Sequence, residues 1–541
     1  MKKALAIALA MLMIVTLFVA CASNDAKSSP GTTPSSGGGT VDPAKAVEIT
    51  ILLEGSNVSD SGAVVSAIND YLAELNSGIK LKPIYGTWGD FEGKATTALD
   101  TGDSSIDILF TCSWTQNNFV QYSKKGAYAK LDELLDQYGT ALKAAVPQSL
   151  WDAVTVAGGD GEAGIYGVPG YKDYAQLYTW DVNNTRLKEL GIDIDTFNGG
   201  DWSSDAFFSD AFADACKAAK EKYGDSFYPI NFENELPGRA ISNLDSEGTG
   251  LLAYEFDPKD PSKPAVVKAE ARFENARYKK YLDKVHEYYT LGYIDPGIAS
   301  AGEETASNTK VSRQNSGEYL FGIYTYAYGF DQTASAERGI DARFPAMSKA
   351  IVSSATAQGS VYAVSVYSKH KEEAVKFLNL WYTDKKLANL FAFGIEGINY
   401  TVKDGLLDFG TPDDPETADV DEADQIGKAH GSYLPWQYGM GNLFIQTPNV
   451  NQGASFFEEF KAYNDEGIAT SLAGFTFDTE PVQTELAALY NVRGEYQLGL
   501  NYGQRDPATD LPAFNEKLKA NGIDKVVAEL QKQLDAFYAS K

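Results

Sequence analysis

The amino-acid sequence predicts a mixed α/β protein of two lobes, and three observations carry that expectation. Its 541 residues are several times the usual domain length of about 100–200, so at least two compact units are required. From Val47 onward, period-two apolar alternation and helical apolar stripes take turns through three successive steps. The same alternation restarts after Gly167-Val168-Pro169-Gly170-Tyr171, which marks a second α/β region.

The elements follow in order. Val47, Ile49, Ile51 and Leu53 alternate as a strand. Asp60 and Ser61 are candidate caps for a helix carrying Val65, Ile68, Leu72 and Leu75 at helical spacing. Ile79, Leu81, Pro83 and Tyr85 give a second strand, Phe91, Ala95, Ala98 and Leu99 a second helical stripe, and Ile106 to Thr111 a third strand. Strands joined by helical crossovers are parallel and buried on both faces, which defines a doubly wound sheet. Ligands of such sheets sit beyond the carboxyl ends of the strands, so the loops Gly55 to Asp60 (with Asn57), Gly86 to Asp90 (with Trp88) and Cys112 to Asn117 become candidate binding loops. In the second region, Leu177 to Asp181, Phe227 to Phe232 and Tyr319 to Tyr324 read as strands and Asp210 to Tyr223 as a helix. The stretch Ala357 to Ser365 leads to Ser368, a candidate N-cap with Glu372 and Glu373 in the first turn, and Val375, Leu378 and Trp381 line the buried side of the helix that follows. Val527, Leu530, Leu534 and Phe537 make the final helix amphipathic.

The N-terminus carries an address. Lys2 and Lys3 precede the apolar run Ala4 to Ala20, shorter than the ~20 residues a spanning helix needs, and the pattern is that of an export signal over residues 1–20. The run ends in Phe18-Val19-Ala20-Cys21, which resembles the lipobox of bacterial lipoproteins, with Phe18 where Leu is usual. That resemblance implies that Cys21 is acylated and becomes the mature N-terminus. Residues 21–46 then form a tether rich in Ser, Thr, Gly and Pro, with nothing to bury and a reach of about 25–30 Å. No later stretch is long and apolar enough for a second membrane segment.

Composition excludes several classes. With 44% hydrophobic and 12% aromatic residues the chain has ample core material, which excludes wholesale disorder. Asp and Glu number 74 against 46 Lys and Arg, a formal net charge of −28, and no basic patch interrupts the excess, so nucleic acid and anionic lipid surfaces are poor partners. Cys112 and Cys216 are the only cysteines after Cys21, which excludes a disulfide-dense scaffold. His286, His370 and His430 are isolated, so no transition-metal site and no cofactor is predicted. The acidic stretch Asp413, Asp414, Glu416, Asp419, Asp421, Glu422, Asp424 fails the EF-hand pattern, because Ala423 stands where an oxygen ligand belongs.

Several segments together resemble the family 1 extracellular solute-binding proteins of ABC importers, mostly for sugars. They are the lipobox, Trp88-Gly89-Asp90-Phe91 with Thr101-Gly102-Asp103-Ser104-Ser105-Ile106-Asp107, then Ile165-Tyr166-Gly167-Val168-Pro169, and Tyr362 to Ala374 with Phe377-Leu378. Gly394-Ile395-Glu396-Gly397-Ile398-Asn399-Tyr400 and the tail from Asn491 are similar to a long Gram-positive subgroup with an extended C-terminal region. The resemblance implies a periplasmic-binding-protein-like fold of type II, with two doubly wound lobes joined by a hinge. One lobe would comprise 47–170 and about 355–402, the other 171–354 and about 403–541, with crossings near Pro169 to Tyr178 and Gln358 to Ser365. It further implies a lipid-anchored monomer on the outer face of the cell membrane that closes on a carbohydrate, captured between the lobes and delivered to ABC permease subunits.

Sugar binding needs aromatic faces for the C–H face of a pyranose and polar side chains for hydroxyls that leave water. Trp114, beside Gln116 and Asn117 after the third strand, and Trp88, after the second, fit by position, although each could equally be core. Tyr171, Lys172 and Tyr174 fall at the first crossing, where hinge packing is the alternative. Alternation would put Tyr324, Tyr326 and Tyr328 on one face, a stacking wall or core. Trp436 in irregular chain, and Asn231 and Glu233 after a strand end, complete the candidates. Two rivals remain: binding of a peptide or another small solute, or a sensory role, on the same fold, and an exported glycan-active enzyme. The enzyme lacks support, since there is no Gly-x-Ser-x-Gly elbow and no zinc signature.

Overall fold

The computed structural model describes residues 45–54, 61–232, 236–245, 249–298, 303–326, 328–330, 334–335, 338–409 and 441–540. The expected export signal, Cys21, most of the expected tether and the acidic stretch lie outside them.

Two large hydrophobic cores organise the chain. The first gathers residues from Ile49 to Tyr174 and from Ala357 to Phe391 around a five-stranded sheet. Its strand order is Ile79–Gly86, Val47–Glu54, Ile108–Thr111, Val361–Val364, Val168–Pro169. The first three strands are parallel, as their helical crossovers demand, and Val361–Val364 runs antiparallel to both of its neighbours. Ile79–Gly86 is the edge strand, which explains how it tolerates Pro83 and why Lys80 and Lys82 point outward. The helix Ser61–Glu74 buries Ile68 and Leu72 as expected, but its stripe begins at Val64 with Val65 only half-buried, and Leu75 is exposed.

Asp107 ties this sheet together. Its carboxylate accepts the Thr50 N–H at 2.9 Å and the Ser368 hydroxyl at 2.6 Å. The Ser368 hydroxyl also accepts the His370 N–H at 3.0 Å, but the next helix starts later, spanning Lys371–Thr383 with His370 and not Ser368 at its N-cap position. Trp381 on that helix is fully buried, its ring centroid 4.8 Å from that of Tyr362.

The second core gathers Tyr178 to Ile351 and returns for Leu472 to Leu534. Its sheet is small: Leu177–Asn183 is the centre, flanked antiparallel by Phe321–Tyr326 and Ala342–Arg343. The expected strand at Phe227 to Phe232 reduces to Ile230, which bridges in parallel to Phe321 and Ile294. The helix Asp210–Tyr223 has the predicted bounds, capped by the Ser209 side chain. Residues 392–460 supply a smaller third cluster around Phe456, Phe457 and Phe460.

The chain passes between the two large cores at residues 174–178 and 351–357, and passes from the third cluster into the second core at 460–472. The second passage lies ahead of the expected Gln358 to Ser365, because Val361–Val364 already belongs to the first sheet. The resemblance implies two or three crossings, and the sequence places only two of them. In the third passage the strand Ile468–Ala469 pairs in parallel with Ile351–Val352, and Ile351 pairs antiparallel with Gln176. Gly467 makes the approach feasible: a Cβ there would meet Ala175 Cβ and Val352 Cγ2 at 2.8 Å.

Cys112 and Cys216 sit in different cores as free buried thiols, and burial pushes Cys112 up to about 12.

Glu54 ends the first strand 7% exposed, and burial pushes its carboxyl from 4.5 up to about 7. The charged form is the penalised one. The penalty is full above pH ~7 and vanishes below pH ~4.5, where the group is protonated folded and unfolded alike. Glu54→Gln should therefore stabilise the protein by about 2–3 kcal/mol at pH 8 and by little at pH 4.5, read from urea midpoints. An equal gain at both pH values would contradict a buried, uncompensated carboxylate.

Candidate functional site

A cavity of about 890 Å³ opens between the two large cores. The first core contributes the loop after Ile108–Thr111. Asn117 donates to the Phe110 carbonyl at 2.8 Å and its own carbonyl accepts the Thr111 hydroxyl at 2.7 Å, while Asn118 donates to the Ser113 carbonyl at 2.6 Å. These bonds hold the loop from inside and leave Trp114 projecting, 50% exposed, into the cavity wall. Gln116 is exposed but stands outside the lining, with its backbone N–H on Glu92.

The passages between the cores form the floor. Lys172 and Asp173 line the cavity as an ion pair, joined by Gln176 and by Ser353 to Thr356. Ser353 and Thr356 satisfy each other in a capping box at the start of the Ser354–Ala357 turn. Tyr171, beside them in sequence, is buried instead, its ring 4.5 Å from Phe444, and is absent from the lining. Tyr171 is thus hinge packing.

The opposite wall rises from Phe321–Tyr326. Phe321 and Ile323 point into the second core, so alternation turns Tyr324 and Tyr326 outward, half-buried, to the cavity. Tyr328 lies past the strand's end and packs on Phe456 and Phe460 of the third cluster. Phe330 stacks on Tyr324 with centroids 4.3 Å apart and planes 6° from parallel, and Lys310 Nζ stands 5.6 Å over the Tyr324 ring. Arg338 lies 5.7 Å over Phe330 and is held by buried Asp181 at 2.9 and 3.0 Å. Asp181 also accepts from the Tyr319 hydroxyl at 2.8 Å and from Gln314 at 2.6 Å. A fully hydrogen-bonded buried carboxylate thus fixes the cation that backs the aromatic pair. Asn231 is fully buried and donates to the Lys310 carbonyl at 3.1 Å, so it positions a lining residue without lining the cavity itself.

Asn57, Glu233 and Trp436 lie outside the described residues. Trp88 opens the helix Trp88–Thr101, and its side chain is also outside them.

Sequence reasoning missed Arg239, Lys310 and Phe330, and it missed a whole wall: Phe477, Asp478, Glu480, Gln483 and Tyr490 come from the C-terminal region. One signal was available. In Gln483–Asn501 the buried stripe runs through Leu486, Leu489 and Val492, and Tyr490 is an aromatic off that stripe, 43% exposed. Among the described residues no cluster of three or more His, Cys, Asp or Glu could hold a metal ion. The wall offers aromatic faces, hydroxyl and amide groups, and charges of both signs, which suits a polar ligand with apolar faces.

A two-core α/β architecture with a ligand-sized cavity between the cores defines a cleft-binding protein, and the chain belongs to the bacterial extracellular solute-binding protein family, whose model matches residues 55–388. Residues 471–539 match a second model, described as a domain of unknown function (DUF3502). The chain is 26% identical over 471 residues to a carbohydrate ABC transporter substrate-binding protein of Streptococcus pneumoniae, covering 87% of each. It resembles the crystal structure of the N-glycan transport solute binding protein (NgtS) of Streptococcus pneumoniae with a TM-score of 0.69 and 25% identity, over 91% of this chain and 98% of that one. The same protein in complex with Man5GlcNAc gives a TM-score of 0.64 at 25% identity, over 91% and 99%. An extracellular solute-binding protein from Bifidobacterium longum subsp. infantis, 14% identical with a TM-score of 0.60 over 91% and 98%, shares the fold. That fold is the periplasmic-binding-protein-like one of type II.

Proposed function

We propose that the protein captures an oligosaccharide between its two cores and delivers it to an ABC permease, without chemical turnover. The observation that carries this reading is the cavity itself. Its volume of about 890 Å³ lies near the top of the ~300–1,000 Å³ range of small-molecule sites, which favours several sugar units over one. Aromatic side chains reach it from both cores, Trp114 on one side and Tyr324 and Tyr326 on the other. Such faces cover the C–H surfaces of pyranose rings, while Gln176, Gln358 and the Lys172–Asp173 pair are available to hydroxyls. Contact with both cores exists only when they are close together, so ligand would shift the population toward the closed form. The relatives named above support the cargo class, and the NgtS complex supports a glycan.

Residues 1–20 are read as an export signal and Cys21 as an acylated anchor, which puts a monomer at the outer membrane face on a tether through residue 46. The lobes are taken as 47–170 with about 355–402, and 171–354 with about 403–541.

A melting-temperature screen against mono- and oligosaccharides tests the cargo. A ligand at 100 times its dissociation constant should add about 2.7 kcal/mol of stability, and Trp114→Ala should remove most of the shift. No shift with any glycan, a shift with dipeptides alone, or full affinity in the variant would overturn the reading. For the anchor, Cys21→Ala expressed in a Gram-positive host should move the protein from the membrane fraction to the medium; retention at the membrane would refute it.

A further inference from the structure

Residues 471–539 match a model with no assigned role, and their geometry gives them one. Three helices, Gln483–Asn501, Pro507–Ala520 and Ile523–Ser540, close on the second core through Leu489, Leu500, Phe514, Leu530 and Leu534. The segment ahead of them, 472–483, runs along the cavity while Leu472, Phe477 and Val482 stay anchored in that core.

Asp478 is the fixed point of this segment. The Gln533 side chain, on the last helix, accepts the Asp478 N–H at 2.8 Å and donates to the Asp478 carbonyl at 2.9 Å, a two-way clamp on one residue's backbone. The Glu480 N–H donates to Asp478 Oδ1 at 3.2 Å. Oδ2 faces the other way and receives Lys124 Nζ at 2.7 Å. Lys124 belongs to the first core: it ends the helix Phe119–Lys124, whose Phe119 and Val120 are buried there, a few residues after Trp114.

The ion pair therefore joins the first core to the C-terminal region across the mouth of the cavity. We propose that residues 471–539 form a third wall of the carbohydrate site and that Lys124–Asp478 is the latch that holds this wall against the first core when the cleft is closed. The side chains are 29% and 33% exposed, so water screens the pair only in part. Trp114 and the helix Phe119–Lys124 follow one another in the chain and both line the cavity, so a sugar seated on Trp114 lies on the same segment as the latch. Tyr490 and Phe477 extend the aromatic lining on the latched side. A wall that comes from the C-terminal region limits how far an oligosaccharide extends past Trp114, which makes this region a determinant of ligand length.

The ligand arm of this proposal rests on the carbohydrate reading; the latch does not. The test uses the mature chain with Lys124→Met, Asp478→Asn and the exchanged pair Lys124→Asp with Asp478→Lys. Each single variant should release a bound oligosaccharide about five- to tenfold faster with little change in association rate, and the exchanged pair should recover most of the loss. In ligand-free protein, amide exchange over 475–483 should quicken in the single variants and return in the exchanged pair. If no glycan binds yet the exchange pattern holds, the cargo reading fails and the latch stands. If glycan binds and both release and amide exchange match the parent, the latch is wrong. A fall in melting temperature alone, with unchanged release, would likewise overturn it.

Discussion

Three chain segments run side by side at the junction of the cores, and the bonds among them decide what can move. Gln176 and Ile351 exchange backbone hydrogen bonds of 2.7 Å in both directions, and Ile468 and Thr470 donate to Ala350 and Val352 at 2.9 Å. Asn464 adds side-chain bonds to the Lys172 carbonyl at 2.7 Å and to the Ala175 N–H at 3.3 Å. The cores on either side are close-packed and resist deformation, so any change in their separation must be absorbed in these few residues.

The rest of the site follows from that constraint. Two of the aromatic side chains that line the cavity are held from behind: Trp114 on a loop closed by Asn117 and Asn118, Tyr324 on a strand backed by Phe330 and the Asp181–Arg338 pair. Preorganised walls spend little entropy on binding, which leaves the hinge to supply the adjustment. The net charge of −28 does not describe the cavity, where Lys124, Lys172, Arg239 and Lys310 stand among Asp173, Asp245 and Asp478. The overall acidity therefore says little about the ligand.

Much of the first lobe was legible, because local rules govern it. Alternation located its strands, and the rule that ligands sit beyond strand ends selected the loop of Trp114. The same alternation put Tyr324 and Tyr326 on one face, but which way that face points was decided only by Phe321 and Ile323 entering the second core. Alternation failed for Tyr328 since the strand stops at Tyr326. Tyr171 and Asn231 illustrate the limit: each stands beside a lining residue, yet Phe444 and the Lys310 backbone, distant in sequence, claim them. The third passage was invisible for a related reason. Gly467 matters through a close approach to Ala175 and Val352, and no local pattern records that contact. The C-terminal wall was equally hidden, because an amphipathic final helix says that a core exists and not which loop it aims at a cleft.

Enclosure of the ligand by motion about this junction would bring the two cores closer together. Small-angle X-ray scattering of the mature protein with and without a saturating oligosaccharide tests it most directly. A smaller radius of gyration in the complex is the expected result. Tight binding with no change in radius would contradict it, and would assign the cavity to a rigid pocket.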